Sequence, residues 1–327
     1  MKLASLKSGR DGALIVVDRD LERAVKVPEI APTMQFAIEN WDKTAPLLQK
    51  VYVDLNAGKL NDDFAFDATQ VAAPFPRAPQ FLDGSAYLPH VERVRRARGA
   101  EMPPSFREDP LMYQAVSDGF LAPTEPIRMA SEEYGIDFES EVGVFVDDVP
   151  MGVSVADAAR HIKLLVILND VSLRNLIPAE LGKGFGFLQS KPRSALAPVV
   201  VTPDELGVAW RDGMVDLALR THLNGELFGY PECAVDMQFN FPQLIAHAAK
   251  TRPLAAGTLI GSGTIANQDE TKGSSCLAEK RVLEIIKTGK ASTPFMAFGD
   301  RVHIEMFDRD GKTIFGAIEQ TVERYQP

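Results

Sequence analysis

The chain predicts a β-rich α+β fold, with a small N-terminal α/β domain over residues 1–77 and a larger β-rich domain over residues 78–327. Three observations carry this expectation. Beyond residue 78, apolar runs of strand length predominate. Helical spacing of apolar residues there is confined to two short segments. The stretch Ala72-Ala73-Pro74-Phe75-Pro76-Arg77-Ala78-Pro79 is too rich in proline to continue either regular structure and separates the two parts. Many strands with few helices is the pattern of an α+β domain, not of an alternating βαβ chain.

Taken in order, Gly12 to Asp18 and Leu21 to Val27 read as a hairpin about an Arg19-Asp20 turn. Phe36, Ile38, Trp41, Leu47, Leu48, Val51 and Leu55 recur at helical spacing, which predicts one amphipathic helix or two short ones over 33–57, stopped by Gly58. Strands are expected at 139–147, 162–169, 197–202, 215–223, 257–265, 281–287, 300–307 and 313–323. Helices are expected at 154–161, with Ser154 as N-cap, and at 241–250, with Pro242 in the first turn and Lys250 near the end. Residues 96–125 carry Pro103-Pro104 and Pro110 and read as irregular; loops of that length are often functional, and a lid is one use for this one.

Composition narrows the function. With 327 residues, 45% of them hydrophobic, the chain buries a full core. A net charge of -10 and a pI near 5.1 exclude nucleic acid and an anionic membrane as expected partners, since both call for basic patches. No apolar run approaches the roughly 20 residues of a membrane span, and the basic start from Met1 to Arg10 has no apolar stretch behind it, so no secretory signal is expected. Cys233 and Cys276 stand alone, without a disulfide framework or a CxxC zinc spacing, which points to a reducing cytoplasmic setting. Small-molecule chemistry is what remains.

The acids are the most telling residues. In Asp137-Phe138-Glu139-Ser140-Glu141-Val142-Gly143-Val144-Phe145-Val146, a strand period of two puts Glu139 and Glu141 on one face. Asp170 caps the apolar run Leu164 to Asn169. Like charges on a strand near a core are driven toward protonation unless a cation offsets them, and a divalent ion taking oxygen ligands does so. Other residues are less specific alone. Phe81-Leu82-Asp83-Gly84 reads as a turn leading to His90, the one histidine in an apparent loop; His161, His222, His247 and His303 fall in predicted helices or strands, and no pair has HExxH spacing. Arg174 by itself reads as a surface charge. Lys183 and Lys191 flank a glycine-rich stretch that lacks the GxxxxGK[ST] order, and Gly261-Ser262-Gly263-Thr264 reads as a tight turn after a strand.

In order and spacing across about residues 80–325, these pieces resemble the fumarylacetoacetate hydrolase family: Asp83 seven residues before His90, Glu139-x-Glu141, Asn169-Asp170-x-Ser172-x-Arg174, a lysine about twenty residues later, and the Gly261 to Thr264 turn. Residues 1–77 resemble the small N-terminal domain of some members. The resemblance implies a mixed β-sandwich roll assembled as a homodimer, and a Mg²⁺ or Ca²⁺ ion held by Asp83, Glu139, Glu141 and Asp170. It further implies hydrolytic carbon–carbon cleavage of a β-diketo acid. In that scheme His90 takes a proton from water and Glu279 orients it, Arg174 and Lys191 (with Lys183 as the other choice) stabilise the oxyanion, and Tyr113 and Thr264 contact the substrate.

Two positions depart from the fumarylacetoacetase pattern. Ile177 replaces a glutamine three residues after the arginine, for which Gln189 is the available substitute, and Ser85 replaces a tyrosine. The activity implied is cleavage of fumarylacetoacetate to fumarate and acetoacetate, in aromatic amino-acid and tyrosine degradation. Acylpyruvate hydrolysis, oxaloacetate decarboxylation and 2-oxo-enoate hydration are the alternatives within the family, and a catalytically silent keto-acid-binding dimer is the alternative outside enzymes.

Overall fold

The computed structural model describes residues 1–97 and 101–326. At the N-terminus, β1 (Lys2–Leu6), β2 (Ala13–Val17) and β3 (Arg23–Lys26) run antiparallel with Val17 opposite Ala24, and Asp18 closes the turn by accepting the N–H groups of Glu22 and Arg23. The helical stretch divides at Asn40 into α1 (Met34–Glu39), capped by Thr33, and α2 (Trp41–Asn56). There follow β4 (Phe64–Ala65), β5 (Phe81–Gly84), α3 (Leu88–Ala97), β6 (Met112–Ala115), β7 (Ile127–Met129), β8 (Ile136–Asp137), β9 (Ser140–Val146), α4 (Val155–Ala158) and β10 (Ile162–Asn169). Then come β11 (Ser172–Leu173), α5 (Ile177–Leu181), β12 (Ala195–Leu196), β13 (Val200–Val201), β14 (Trp210–Arg211), β15 (Met214–Val215), β16 (Leu219–Leu223) and β17 (Glu226–Gly229). The chain closes with α6 (Phe241–Ala248), β18 (Leu259–Gly261), α7 (Leu277–Thr288), β19 (Arg301–Met306) and β20 (Ile318–Arg324).

Two mixed sheets carry the β-rich α+β architecture. The larger has 11 strands in the order β4-β3-β2-β1-β13-β10-β9-β18-β5-β6, with β12 beside β10; the smaller runs β17-β16-β19-β20-β7. The larger sheet is continuous from the N-terminal hairpin into the rest of the chain, because Lys2 pairs with Val201 and Leu3 with Val200. Its central strand β9 is buried along its whole length, as a strand covered on both faces must be. Ser140 Oγ lies 2.7 Å from Thr221 Oγ1, and Asn169 Nδ2 donates to Gln320 Oε1 at 2.9 Å, so the two sheets are pinned by satisfied polar pairs within an apolar layer. No helix among the described residues is long and apolar enough to cross a membrane.

Several predicted elements take another form. Residues 281–287 lie in helix α7, not in a strand. The β-branched run that suggests a strand is overridden by a helix start at Cys276, whose Sγ accepts the Glu279 N–H, and by a stop at Gly289 with φ of +83°. His90 is not in a loop but in the first turn of α3, where Pro89 supplies a fixed φ suited to a helix start. The strand at 257–265 narrows to β18, that at 197–202 to β13, and that at 215–223 breaks into β15 and β16. Ser154 caps α4 as expected, accepting the Asp157 N–H at 3.1 Å, but α4 gives way to a 3₁₀ turn at Ala159–His161. α6 starts with a full capping box between Asn240 and Gln243. Of the stretch 96–125, residues 98–100 lie outside the described residues, and Met112–Ala115 is regular: β6 pairs with β5 at the sheet edge.

Candidate metal and catalytic site

Neighbouring strands assemble the acids. Asp83 sits in β5, Glu141 in β9 and Asp170 directly after β10; β18 separates β5 from β9, with Gly261 in register with Asp83 on one side and Gly143 on the other. Asp83, Glu141 and Asp170 each offer a carboxylate oxygen within 4.8 Å of the others, and all three side chains are buried. Gly261 makes room for this. A Cβ there would stand 2.3 Å from Asp83 Oδ1 and 3.2 Å from Glu141 Oε2. Gly263, at φ of +75°, turns its N–H onto both Asp83 Oδ1 (3.2 Å) and Glu141 Oε2 (3.1 Å). Gly261→Ala should therefore cost about 1–3 kcal/mol of stability and weaken Mg²⁺ binding, read by thermal melting and calorimetry; an unchanged affinity would show that the acids do not need this gap.

Burial, reinforced by repulsion from Asp170, pushes the Asp83 carboxyl up to about 8, and burial with repulsion from Asp83 and Asp170 pushes Glu141 well above the carboxylate range. Glu141 Oε1 is buried with no hydrogen-bond partner among the described residues. Hard oxygen donors, an excess of buried negative charge and an orphaned oxygen together fit a divalent cation such as Mg²⁺, Ca²⁺ or Mn²⁺.

The fourth expected ligand faces cations instead. Glu139 accepts Arg174 Nη2 at 2.6 Å and Lys191 Nζ at 2.6 Å. Burial opposes its ionisation, but Arg174 and Lys191 outweigh burial and hold it well below the usual range. Lys191 also donates to Asp170 Oδ2 at 2.5 Å, and Tyr113 Oη and Ser194 Oγ complete the Asp170 carboxylate at 2.7 and 2.6 Å. Lys191 is buried and Lys183 exposed, so of the two lysines only Lys191 reaches the acids. Arg174 is fixed through Nε by Asp137 (2.8 Å), which also receives the first N–H groups of α7, Leu277 and Ala278.

The expected base and the acid expected to orient it come from helices that pack on one another. His90 Nδ1 on α3 lies 3.2 Å from Glu279 Oε2 on α7. Arg93, one turn after His90, donates to Glu279 Oε1 and to the Asn267 carbonyl. A cavity of about 150 Å³ opens onto this group, lined among others by Asp83, His90, Tyr113, Glu139, Arg174, Ile177, Lys191 and Thr264. A larger cavity of about 370 Å³, beside Lys2, Glu205 and Lys312, has no comparable set of buried acids and base.

Gln189 is not brought in. Its N–H is held by Glu180 Oε1 at 2.6 Å and its side chain is exposed, so it does not fill the place opposite Ile177. Phe187, packed edge-on against Tyr113 at 4.7 Å, lines the cavity in that region. Glu180 pins the loop by accepting the Ser190 hydroxyl and the N–H groups of Leu188, Gln189 and Ser190. These bonds, the Ser190 hydroxyl foremost, hold its carboxyl down from 4.5 to about 2. A depressed value means stabilisation that is complete above the ordinary carboxylate range and lost as pH falls through about 2. The hydrogen-exchange protection factor over 182–190, corrected for the intrinsic pH dependence of exchange, should fall across that window and already be low at neutral pH in Glu180→Ala; a pH-independent protection factor would separate the loop from Glu180.

Sequence reasoning passed over Asp137, Arg93, Ser194, Phe187 and Glu180. Asp137 had a signal, since it continues the period-two series with Glu139 and Glu141. Arg93 would follow from helical spacing once His90 is placed on a helix.

Residues 80–323 match the family model described as fumarylacetoacetate (FAA) hydrolase C-terminal, and residues 1–77 match that described as fumarylacetoacetase N-terminal domain 2. The chain belongs to the fumarylacetoacetate hydrolase family. Among curated proteins it is 27% identical over 217 residues to oxaloacetate tautomerase YisK of Bacillus subtilis, covering 64% of this chain and 67% of that one. It is 26% identical over 159 residues to a 2,4-didehydro-3-deoxy-L-rhamnonate hydrolase of Sphingomonas, covering 48% of this chain and about half (53%) of that one. Among solved structures, maleylpyruvate hydrolase from Sphingobium sp. SYK-6, in complex with manganese(II) and pyruvate, aligns with a TM-score of 0.65 at 17% identity, covering 100% of each chain. At that identity the likeness is one of fold.

Proposed function

We propose that the protein is a divalent-metal-dependent hydrolase that cleaves a carbon–carbon bond in a β-diketo acid, with fumarylacetoacetate the first compound to test. The observation that carries this reading is the meeting, on one small cavity, of an oriented base, His90 with Glu279, and the cationic donors Lys191 and Arg174. The match of residues 1–77 to a fumarylacetoacetase N-terminal model supports the substrate class.

A divalent ion held by Asp83, Glu141 and Asp170, with Glu139 alongside, would supply a Lewis acid that draws electron density from the substrate's oxygen atoms. The chain's own residues do the rest. His90 is bonded to Glu279 through Nδ1, so Nε2 takes a proton from water. The resulting hydroxide forms a bond to the carbonyl carbon, and the oxyanion meets Lys191, whose ammonium has three N–H donors, two of them committed to Glu139 and Asp170. Arg174, locked by Asp137, adds charge from the same wall. As the carbon–carbon bond breaks, the electron pair leaves on the departing carbon and the proton held by His90 returns to it, giving one carboxylic acid and one shorter keto acid.

A second reading, keto–enol tautomerisation of a 2-oxo acid such as oxaloacetate, is favoured by Ile177. An apolar wall replaces a hydrogen-bond donor, and tautomerisation needs no water held for attack. The experiment is turnover of metal-stripped protein on fumarylacetoacetate, acetylpyruvate and oxaloacetate, each with and without Mg²⁺ or Mn²⁺. Metal-dependent cleavage of either diketo acid supports the hydrolase, whereas accelerated enol decay of oxaloacetate without cleavage replaces it with the tautomerase.

A further inference from the structure

Beside the oxygen-only acids stands a second set of donors with a different chemistry. His90, Glu139 and Cys276 bring a ring nitrogen, a carboxylate oxygen and a sulfur within 4.8 Å of one another. The two sets share no residue. The first is hard and suits Mg²⁺, Ca²⁺ or Mn²⁺; the second mixes nitrogen, oxygen and sulfur, the donors that select zinc or cadmium. We infer that His90, Glu139 and Cys276 form a separate site for a soft divalent cation of the zinc class, whose occupation takes His90 out of service as a base.

The surroundings of the set support this. His90 is oriented through Nδ1 by the Glu279 carboxylate, which Arg93 holds in turn, and a carboxylate on the second nitrogen is the usual companion of a metal-ligating histidine. Ligation falls to Nε2, the atom that would otherwise accept the proton from water. Glu139 bonds Arg174 and Lys191 with one oxygen each, and each carboxylate oxygen keeps a further lone pair. Cys276 is fully buried and paired backbone to backbone with Glu139, and among the described residues its Sγ accepts only the weak Glu279 N–H contact at 3.4 Å. His90 and Glu139 line the cavity, so an ion arriving there meets these two donors first. Binding exchanges the thiol proton for the metal: the sulfur–hydrogen bond breaks, a sulfur–metal bond forms, and the proton leaves to solvent. Cys233, the other thiol, is buried and belongs to neither set.

The test uses cadmium as the probe and Cys276→Ser as the variant. Serine keeps the size of the side chain and is a better helix N-cap than cysteine, so α7 should form unchanged. Cadmium titrated into the magnesium-loaded protein should raise the ultraviolet thiolate-to-cadmium charge-transfer band at one ion per chain, and Cys276→Ser should remove it while leaving Mg²⁺ affinity and circular dichroism as they are. Zinc affinity by calorimetry should fall on the order of tenfold or more in the same variant. No band in the natural sequence, or a band of equal strength in Cys276→Ser, overturns the site, the second outcome assigning the ion to Cys233. Because band and calorimetry need no substrate, failure here is distinguishable from failure of the hydrolase reading. Where turnover has been measured, zinc should inhibit the magnesium-loaded protein, and the variant should require a correspondingly higher concentration; equal sensitivity of both proteins overturns the link to His90.

Discussion

Exchange of His90 for glutamine should lower turnover by about two to four orders of magnitude and leave Mg²⁺ affinity unchanged. Glutamine keeps much of the side-chain volume but neither accepts the water proton nor returns it. The fold should tolerate the change. Glu279 remains paired with Arg93, so removing the imidazole does not strand a buried carboxylate, and α3 keeps its hold on α7. Lys191 and Arg174, the proposed oxyanion donors, stay where Glu139 holds them, and the residual rate measures what they contribute without a base. The measurement is steady-state turnover on whichever substrate the wild-type protein accepts, beside calorimetric Mg²⁺ titration. Undiminished turnover would remove His90 from the chemistry.

Glu141→Gln should act with opposite signs on two quantities. Mg²⁺ affinity should fall on the order of 1,000-fold, since a unit charge a few ångströms from a cation is worth about 4 kcal/mol at the effective dielectric near a protein surface and tenfold in affinity takes only about 1.4 kcal/mol. The metal-free protein should melt at a higher temperature. Without a cation, burial and the Asp83 and Asp170 charges all work against the Glu141 carboxylate, and a neutral amide of the same shape relieves that while still accepting the Gly263 N–H. A residue that destabilises the empty protein but is needed to load it is there for the ligand. Calorimetry and melting with and without Mg²⁺ check both signs; a variant that lost stability in the metal-free state would make Glu141 a structural acid.

The legible part of this protein was its strands with strong apolar runs and the acids set into them. β9 and β10 lie within a residue or so of their expected bounds because their periods and lengths leave little else to form. Asp83, Glu141 and Asp170 converge because sheet pairing, which the sequence only implied, brings β5, β9, β10 and β18 side by side. What escaped was local structure decided by tertiary contact. α7 carries Ile285-Ile286, which locally favours a strand, and becomes a helix through its caps and its packing on α3. α3 opens on signals that equally describe a turn, and with its helical nature hidden, the Arg93 clamp one turn from His90 was hidden too. Glu180 escaped because its partners are mostly backbone N–H groups of a loop eight to ten residues on, which leave no mark on composition.

The register of β1 against β13 has a consequence for how the chain divides. Residues 1–77 and 80–323 match separate family models, yet Lys2 and Leu3 complete the hydrogen-bond ladder of Val200 and Val201 in β13, two strands away from Glu141 in β9. A fragment lacking the first 77 residues would leave the two-residue strand β13 as a bare edge next to β10, a template for self-association. The N-terminal segment is thus a built-in edge protector for the site-bearing sheet.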